Sequence, residues 1–85
     1  MKQIIETIKQ NREELISKHS AMKKEIEALN ESLRQARKLN TEELYDKLWV
    51  KKADLITKKV DLNMAINDLG NALNHLGENT ETFWG

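Results

Sequence analysis

The 85-residue chain contains no cysteine and no proline, and it has only three glycines. Without cysteine there is no disulfide framework, no thiolate zinc site and no thiol nucleophile. Without proline, and with so few glycines, the chain lacks the regularly spaced turn residues of an all-β domain. Aromatic residues make up only 5% of the chain and charged residues 33%. This composition is typical of long amphipathic helices and predicts an all-α protein.

Long apolar runs are also missing. No stretch approaches the roughly 20 consecutive apolar residues of a transmembrane helix. The N-terminal segment does not resemble a signal peptide, because Glu6 and Lys9 interrupt its apolar residues. We therefore expect a soluble, cytoplasmic protein that does not contact a membrane. The net charge is zero, but the charges are unevenly distributed. Basic residues outnumber acidic ones in residues 34–59, and residues 60–85 contain no Lys or Arg.

Apolar side chains recur every seven residues in both halves of the chain. The first half carries the series Ile8, Leu15, Met22, Leu29 and Ala36, and the second half carries Leu48, Leu55, Leu62, Leu69 and Leu76. Such a repeat keeps one stripe of a helix facing a partner helix. The sequence predicts two amphipathic helices, at about 2–39 and about 41–77.

The segment between the two series has the signals of a helix end and a helix start. Arg37 and Lys38 are basic, as the C-terminus of a helix favours. Asn40 and Glu43 have the spacing of a capping box, which starts a new helix. A short turn makes neighbouring helices antiparallel, and reflecting the chain about residue 42 pairs the two apolar series. We predict an antiparallel helical hairpin with its turn at about 39–41. A single continuous helix is the alternative.

Both ends of the chain leave a choice open. Asn11 begins a second capping spacing, so residues 2–10 form either a separate short helix or the first turns of a long one. Residues 78–85 follow Gly77 without a helical period and are predicted to be a tail.

Apolar residues also lie off the seam, and they predict a second packing surface and assembly into a helical oligomer. These residues are Ile16, Trp49, Val50, Ile56, Val60 and Met64.

Catalytic constellations are missing as well. His19 and His75 are the only histidines, and neither has the partners of a catalytic triad. The segment from Glu43 to Asp46 resembles the Glu-x-x-Asp element of the all-α nucleotide pyrophosphohydrolases, which implies a magnesium site shared with a facing Glu-x-x-Glu. The facing segment here has Asn30 three residues after Glu27, which departs from that pattern. We predict no enzymatic activity, no catalytic residue, no metal and no cofactor.

A stripe of asparagines is the most unusual feature of the second half. Asn63, Asn67, Asn71 and Asn74 share one face of a helix that is poor in charge. Asparagine is a weak helix former, so the stripe is predicted to serve either a partner surface or packing against another segment. Phe83 and Trp84 give the same two choices: they either anchor a partner protein or fold back over the end of the hairpin. We predict that the four asparagines, with Phe83 and Trp84, form the partner-binding surface.

Two lysine pairs lie one heptad apart near the predicted turn. Lys51, Lys52, Lys58 and Lys59, with Tyr45, could bind a phosphate-bearing ligand. The other interpretation is a solvated face that pairs across the hairpin with acidic residues, for example Lys59 with Glu25.

The sequence as a whole predicts a small interaction protein: an adaptor, chaperone or inhibitor that binds itself and a macromolecular partner. Its size and composition are compatible with the small proteins that phages and mobile elements encode against host machinery. The first alternative is an oligomeric sponge for a nucleotide or other small ligand, similar in coarse architecture to phage cyclic-oligonucleotide sponges. The second alternative is a nucleic-acid-binding regulator.

Overall fold

The computed structural model describes residues 1–85 and contains two helices. Helix α1 spans Lys2–Lys38 and helix α2 spans Glu42–His75, and the two pack against each other along their length. The molecule measures 57 × 16 × 14 Å, which is about the length of one 37-residue helix at 1.5 Å per residue. The predicted all-α hairpin is confirmed, and the single continuous helix is excluded.

Helix α1 has no break near Asn11. The helix continues from Lys2 through Asn11 to Lys38, so the alternative of a separate short helix over residues 2–10 is wrong. The heptad series explains this continuity, because the step from Ile8 to Leu15 keeps both residues on the face that packs against α2. The capping spacing at Asn11 is therefore a coincidence of composition within a long helix.

The predicted capping box at Asn40 and Glu43 is also wrong. Thr41 is the residue that precedes α2, and its side chain makes no capping hydrogen bond. Asn40 instead has a positive φ of 56° and terminates α1. The N–H of Thr41 donates to the carbonyl oxygen of Ala36, and the N–H of Asn40 donates to that of Arg37. This is the Schellman arrangement, in which a left-handed residue closes the helix.

Helix α2 ends in the same way. Gly77 has a φ of 92°, and its N–H donates to the carbonyl oxygen of Asn74, while the N–H of Glu78 donates to that of Leu73. A left-handed backbone favours glycine because it has no Cβ atom to clash with the carbonyl oxygen. The turn at Gly77 reverses the chain, so that the tail, residues 78–85, runs back along the hairpin.

The core is the seam between the two helices. Leu29 and Leu55, which the reflection about residue 42 pairs, lie in one buried cluster with Ile26. Farther from the turn, Ile66 and Leu73 are the largest fully buried side chains. We call the end of the hairpin that carries the turn the tip, and the opposite end the root. No helix in the structure is both long enough and apolar enough to cross a membrane.

Candidate functional site

The tail lies against α2 and is held there by two asparagine side chains. The Nδ2 atom of Asn74 donates to the carbonyl oxygen of Thr80 at 3.1 Å, and the N–H of Thr80 donates to Oδ1 of Asn74 at 2.7 Å. Asn67 makes the same pair of bonds with the main chain of Phe83, at 3.1 and 2.8 Å. Each amide therefore binds both main-chain polar groups of one tail residue, as a neighbouring β-strand would.

The spacing of these bonds fits an extended chain that runs antiparallel to α2. Asn67 and Asn74 are seven residues apart, which is about 10.5 Å along a helix. Thr80 and Phe83 are three residues apart, which is about 10 Å along an extended strand. Because the two distances match, one heptad of helix binds three residues of tail without distortion of either.

Helix α1 supplies the second wall of this site. The guanidinium group of Arg12 donates from Nε to the carbonyl oxygen of Ile66 at 3.2 Å and from an Nη atom to that of Glu81 at 3.1 Å. Arg12 thereby connects α1, α2 and the tail through main-chain acceptors. The ammonium group of Lys9 also lies 3.4 Å from the carboxylate of Glu78.

His19 packs against Phe83 near the end of the tail. Its imidazole ring contacts the ring of Phe83 edge to face, with centroids 5.0 Å apart and an interplanar angle of 87°, a favourable aromatic geometry. Burial lowers the pKa of His19 below its ordinary value of 6.5, and the charges of Lys59 and Lys23 lower that pKa further. The imidazole is therefore kept neutral against the ring of Phe83.

Two glycines define the shape of the site. A Cβ atom at Gly70 would lie 3.4 Å from Nε of Arg12 and 3.5 Å from Cγ2 of Thr80. The small residue thus lets Arg12 and the tail approach the surface of α2. A Cβ atom at Gly85 would lie 2.5 Å from Cε1 of His19, so a larger residue there has to shift its neighbours. We call this site the tail groove, and Arg12, His19, Asn67, Gly70 and Asn74 define it.

The structure divides the residues that the sequence analysis grouped as a partner site. In the tail groove Asn67 binds Phe83 and Asn74 binds Thr80, and the ring of Phe83 packs against His19. Asn63 lines a hollow of about 190 Å³ beside Trp84 at the end of the tail. Asn71 is exposed and makes no hydrogen bond to the tail. Trp84 is 88% exposed, so the tail folds back over the hairpin with one aromatic ring packed and the other in solvent.

Arg12 is a residue of the site that the sequence analysis missed, although the sequence carries a signal for it. One heptad series of α1 reads Ile5, Arg12, His19, Ile26 and Leu33. Arg12 and His19 are the only polar members of this series, and both contact the tail. A polar interruption in an otherwise apolar series indicates that something other than the partner helix packs there.

The face of α2 that carries the tail is exposed nearer the tip. Trp49, Ile56 and Asn63 follow one another at intervals of seven residues, as do Val60, Asn67 and Asn74. The asparagine half of this face carries the tail, whereas its apolar half faces solvent. The exposed apolar side chains, which we call the apolar stripe, are Trp49, Ile56, Val60 and Met64.

The four lysines do not form a single patch. Lys51 and Lys58 are exposed, and the ammonium group of Lys58 lies 3.0 Å from the carboxylate of Asp54. Lys52 and Lys59 are partly buried beside α1, and Lys59 lines the hollow next to His19. The predicted ion pair between Lys59 and Glu25 is absent. The ion pairs within the helices join residues three or four positions apart on one helix.

Cations and aromatic rings alternate in a groove at the tip. The ammonium group of Lys52 lies 4.7 Å from the ring centroid of Trp49, and the guanidinium group of Arg37 lies 5.7 Å from that of Tyr45. Both distances fit cation–π contacts. We call this space of about 210 Å³ the tip groove, and its lining residues are Asn30, Leu33, Arg34, Arg37, Tyr45, Trp49 and Lys52.

No three His, Asp or Glu side chains lie close enough together to hold a metal ion. The carboxylate of Glu43, which belongs to the segment that resembles a pyrophosphohydrolase element, lies 3.5 Å from the ammonium group of Lys47. The geometry therefore defines an all-helical hairpin with a docked tail, an exposed apolar stripe and a cationic, aromatic tip groove. No family model, curated protein or solved structure shows a significant match to this chain.

Proposed function

We propose that this chain is a non-enzymatic protein-interaction module whose contact surface is the apolar stripe. The observation that carries the proposal is the exposure of Trp49, Ile56, Val60 and Met64 on one face of α2. These side chains span residues 49–64, which corresponds to about 22 Å of helix. Several exposed apolar side chains on one face of a helix are typical of a protein interface.

The first occupant of the stripe is a second copy of the chain. A two-helix hairpin buries only one seam, and a core this small rarely stabilises a fold by more than about 3–5 kcal/mol. Two copies that pack stripe to stripe form a four-helix bundle, which buries the stripe of each copy. The dimer then presents its remaining surfaces, including the exposed ring of Trp84, to a macromolecular partner as an adaptor, chaperone or inhibitor.

Sedimentation of the wild-type chain and two variants tests this proposal. We expect wild-type chain to sediment at a mass at least twice 9.9 kDa, and the Ile56→Gln/Val60→Gln variant to sediment as a monomer. Leu39→Gln is the matched control, because Leu39 is an exposed apolar residue outside the stripe. A wild-type chain that stays monomeric at micromolar concentration contradicts the proposal. So does a double variant that keeps the wild-type mass.

A second candidate function rests on the tip groove. Its cations and aromatic rings could bind a planar, phosphate-bearing ligand such as a nucleotide, with the base stacked on Trp49 or Tyr45 and the phosphates near Arg37 and Lys52. Of the lysine site predicted from the sequence, this candidate keeps Lys52 and Tyr45.

Nucleotide titration followed by the fluorescence of the tryptophans tests the second candidate. Quenching that is lost in Lys52→Gln and kept in Lys51→Gln supports a nucleotide site, since Lys51 is exposed outside the groove. Binding of single-stranded nucleic acid with a steep dependence on salt concentration indicates the regulator instead. The absence of quenching in the wild-type chain excludes the nucleotide.

A further inference from the structure

The tail groove recognises the main chain of its occupant much more than its side chains. All five hydrogen bonds between the hairpin and residues 80–83 involve N–H or carbonyl groups of the tail. Main-chain groups are the same in every peptide, so these bonds require an extended conformation and a register but no particular sequence.

Side-chain selection in the groove is restricted to a few positions. Thr80 lies over Gly70, Phe83 packs against His19, and Gly85 has no room for a Cβ atom. The side chains of Glu81, Thr82 and Trp84 are exposed. The groove therefore fits a small residue, an aromatic residue three positions later and a glycine two positions after that. Lys9 beside Glu78 adds a preference for an acidic residue at the start of the peptide.

The tail is weakly attached compared with the helices. Beyond Glu78 the tail makes no main-chain to main-chain hydrogen bond, and most of its residues are exposed. Gly77 connects it to α2 through a single turn. The tail is bound by a few helix side chains and is joined to α2 through one turn. Such a segment opens at a lower free energy than the helices unfold. When the tail leaves, Asn67 and Asn74 become hydrated and can bind another main chain.

We propose that the tail groove is a binding site for an extended, acidic and aromatic peptide segment of a partner protein, and that the tail is its resident occupant. The partner segment matches the pattern Thr80-x-x-Phe83-x-Gly85 and displaces the tail in the same antiparallel register. The hydrogen bonds of this site come from Arg12, Asn67 and Asn74, and the apolar stripe only borders the end of the tail at Val60. The existence of the site therefore does not depend on the function proposed above.

An NMR experiment on the full-length wild-type chain tests the proposal directly. The protein is labelled with ¹⁵N, and an unlabelled synthetic peptide with the sequence of residues 78–85 is added in excess. We expect the amide signals of Thr80 and Phe83 in the protein to move to the positions of a disordered chain, while the signals of Ile26 and Leu55 stay in place. The same peptide with the change Phe83→Ala is the control and should displace nothing.

Full-length variants measure the competition between peptide and tail. Phe83→Ala in the protein weakens the resident tail, so a fluorescent copy of the wild-type peptide should bind this variant about tenfold more tightly than wild-type protein. Adding Asn67→Asp, which removes the donor to the peptide carbonyl, should abolish that binding. Adding Asn40→Asp is the matched control, because it introduces the same charge at the exposed turn between the helices, away from the tail groove.

Two outcomes would overturn the proposal. In the first, the tail signals of the wild-type protein do not move at millimolar peptide, which makes the tail a fixed part of the fold. In the second, the peptide binds equally to the Asn67→Asp and Asn40→Asp variants, which places it outside the groove. Circular dichroism verifies that each variant is helical. If Phe83→Ala fails to fold, the wild-type NMR experiment alone decides.

Discussion

The two halves of the hairpin differ in what covers one face of α2. In the root half, the tail lies over Asn67 and Asn74, and the hairpin contains its most completely buried large side chains, Ile66 and Leu73. In the tip half, the same face of α2 carries the apolar stripe, which is exposed and borders the end of the tail only at Val60. The comparison shows how a short extended segment can complete a packing surface that two helices leave open.

The two halves also distribute their polar seam residues in opposite ways. In the root half, α1 contributes the polar residues Arg12 and His19. In the tip half, α2 contributes Lys52 and Lys59, which are partly buried beside α1. The root residues are partnered by the tail, whereas Lys52 contacts the ring of Trp49. At the tip the cations Arg37 and Lys52 thus contact aromatic rings, and the apolar stripe faces solvent.

The largest expected effect comes from comparing two isoleucines on α2. Ile66 is completely buried and Ile56 is 39% exposed. We expect Ile66→Ala to lower the free energy of unfolding by about 3 kcal/mol, because it leaves a cavity in the root core. Ile56→Ala should change the stability of the monomer by less than about 0.5 kcal/mol. Urea denaturation at a concentration that keeps the chain monomeric measures both. Equal effects would show that the halves are packed alike.

Removal of the tail should affect the root and not the tip. A chain that ends at Gly77 loses the packing of Phe83 and the hydrogen bonds to Asn67 and Asn74. We expect a loss of about 2 kcal/mol, of the order of burying one aromatic side chain. Hydrogen exchange should accelerate at the amide of Ile66 and much less at that of Leu55. Equal acceleration at both amides would contradict a local role of the tail.

A smaller loss of stability is expected from a change at Gly77, in the turn between α2 and the tail. Gly77→Ala places a Cβ atom on a residue with a φ of 92° and should cost about 1 kcal/mol. The matched change at the tip is Asn40→Ala, at the other left-handed residue. Asn40 already carries a Cβ atom in this conformation, so its replacement should cost less. Thermal unfolding measures the stability of both variants. A larger loss of stability in Asn40→Ala than in Gly77→Ala would contradict this explanation.

The smallest effect is a pH dependence restricted to the root. Because the pKa of His19 is lowered from 6.5 in the folded chain, the unfolded chain binds more protons at acidic pH. The free energy of unfolding should therefore decrease as the pH falls from about 7 to about 5. A charged imidazole needs water, which reaches it only if the tail opens at Phe83, so the amide of Phe83 should lose protection first. Replacement of His19 with Gln should remove this dependence, and its persistence would assign it to another group.

The helices could be predicted because their signals are local and repeated. The leucines from Leu48 to Leu76 specify one face of α2 regardless of what packs on it, and the matching series in α1 specifies the antiparallel partner. Local signals were misleading at single positions. Asn40 has the spacing of an N-cap, but the left-handed conformation it adopts closes α1 instead.

The tail groove could be predicted only in part. The sequence singled out the asparagine stripe and the aromatic tail, because both depart from what a plain helical hairpin contains. It left open whether they serve a partner or each other, and it did not indicate Arg12. The deciding contacts join Arg12 with Glu81 and Asn67 with Phe83. These residues are far apart in the sequence, and no periodic pattern relates them.

The sequence by itself determined that this protein is a hairpin of two long helices, since heptad repeats act through neighbours along the chain. Only the tertiary structure decided where residues 78–85 lie. An extended segment has no internal hydrogen bonds, so its position depends on other groups that bind its main chain. Here these groups are the side chains of Arg12, Asn67 and Asn74, which come together only after the helices have formed. The same reason separates the two halves of α2: the folded tail binds Asn67 and Asn74 and leaves the apolar stripe exposed.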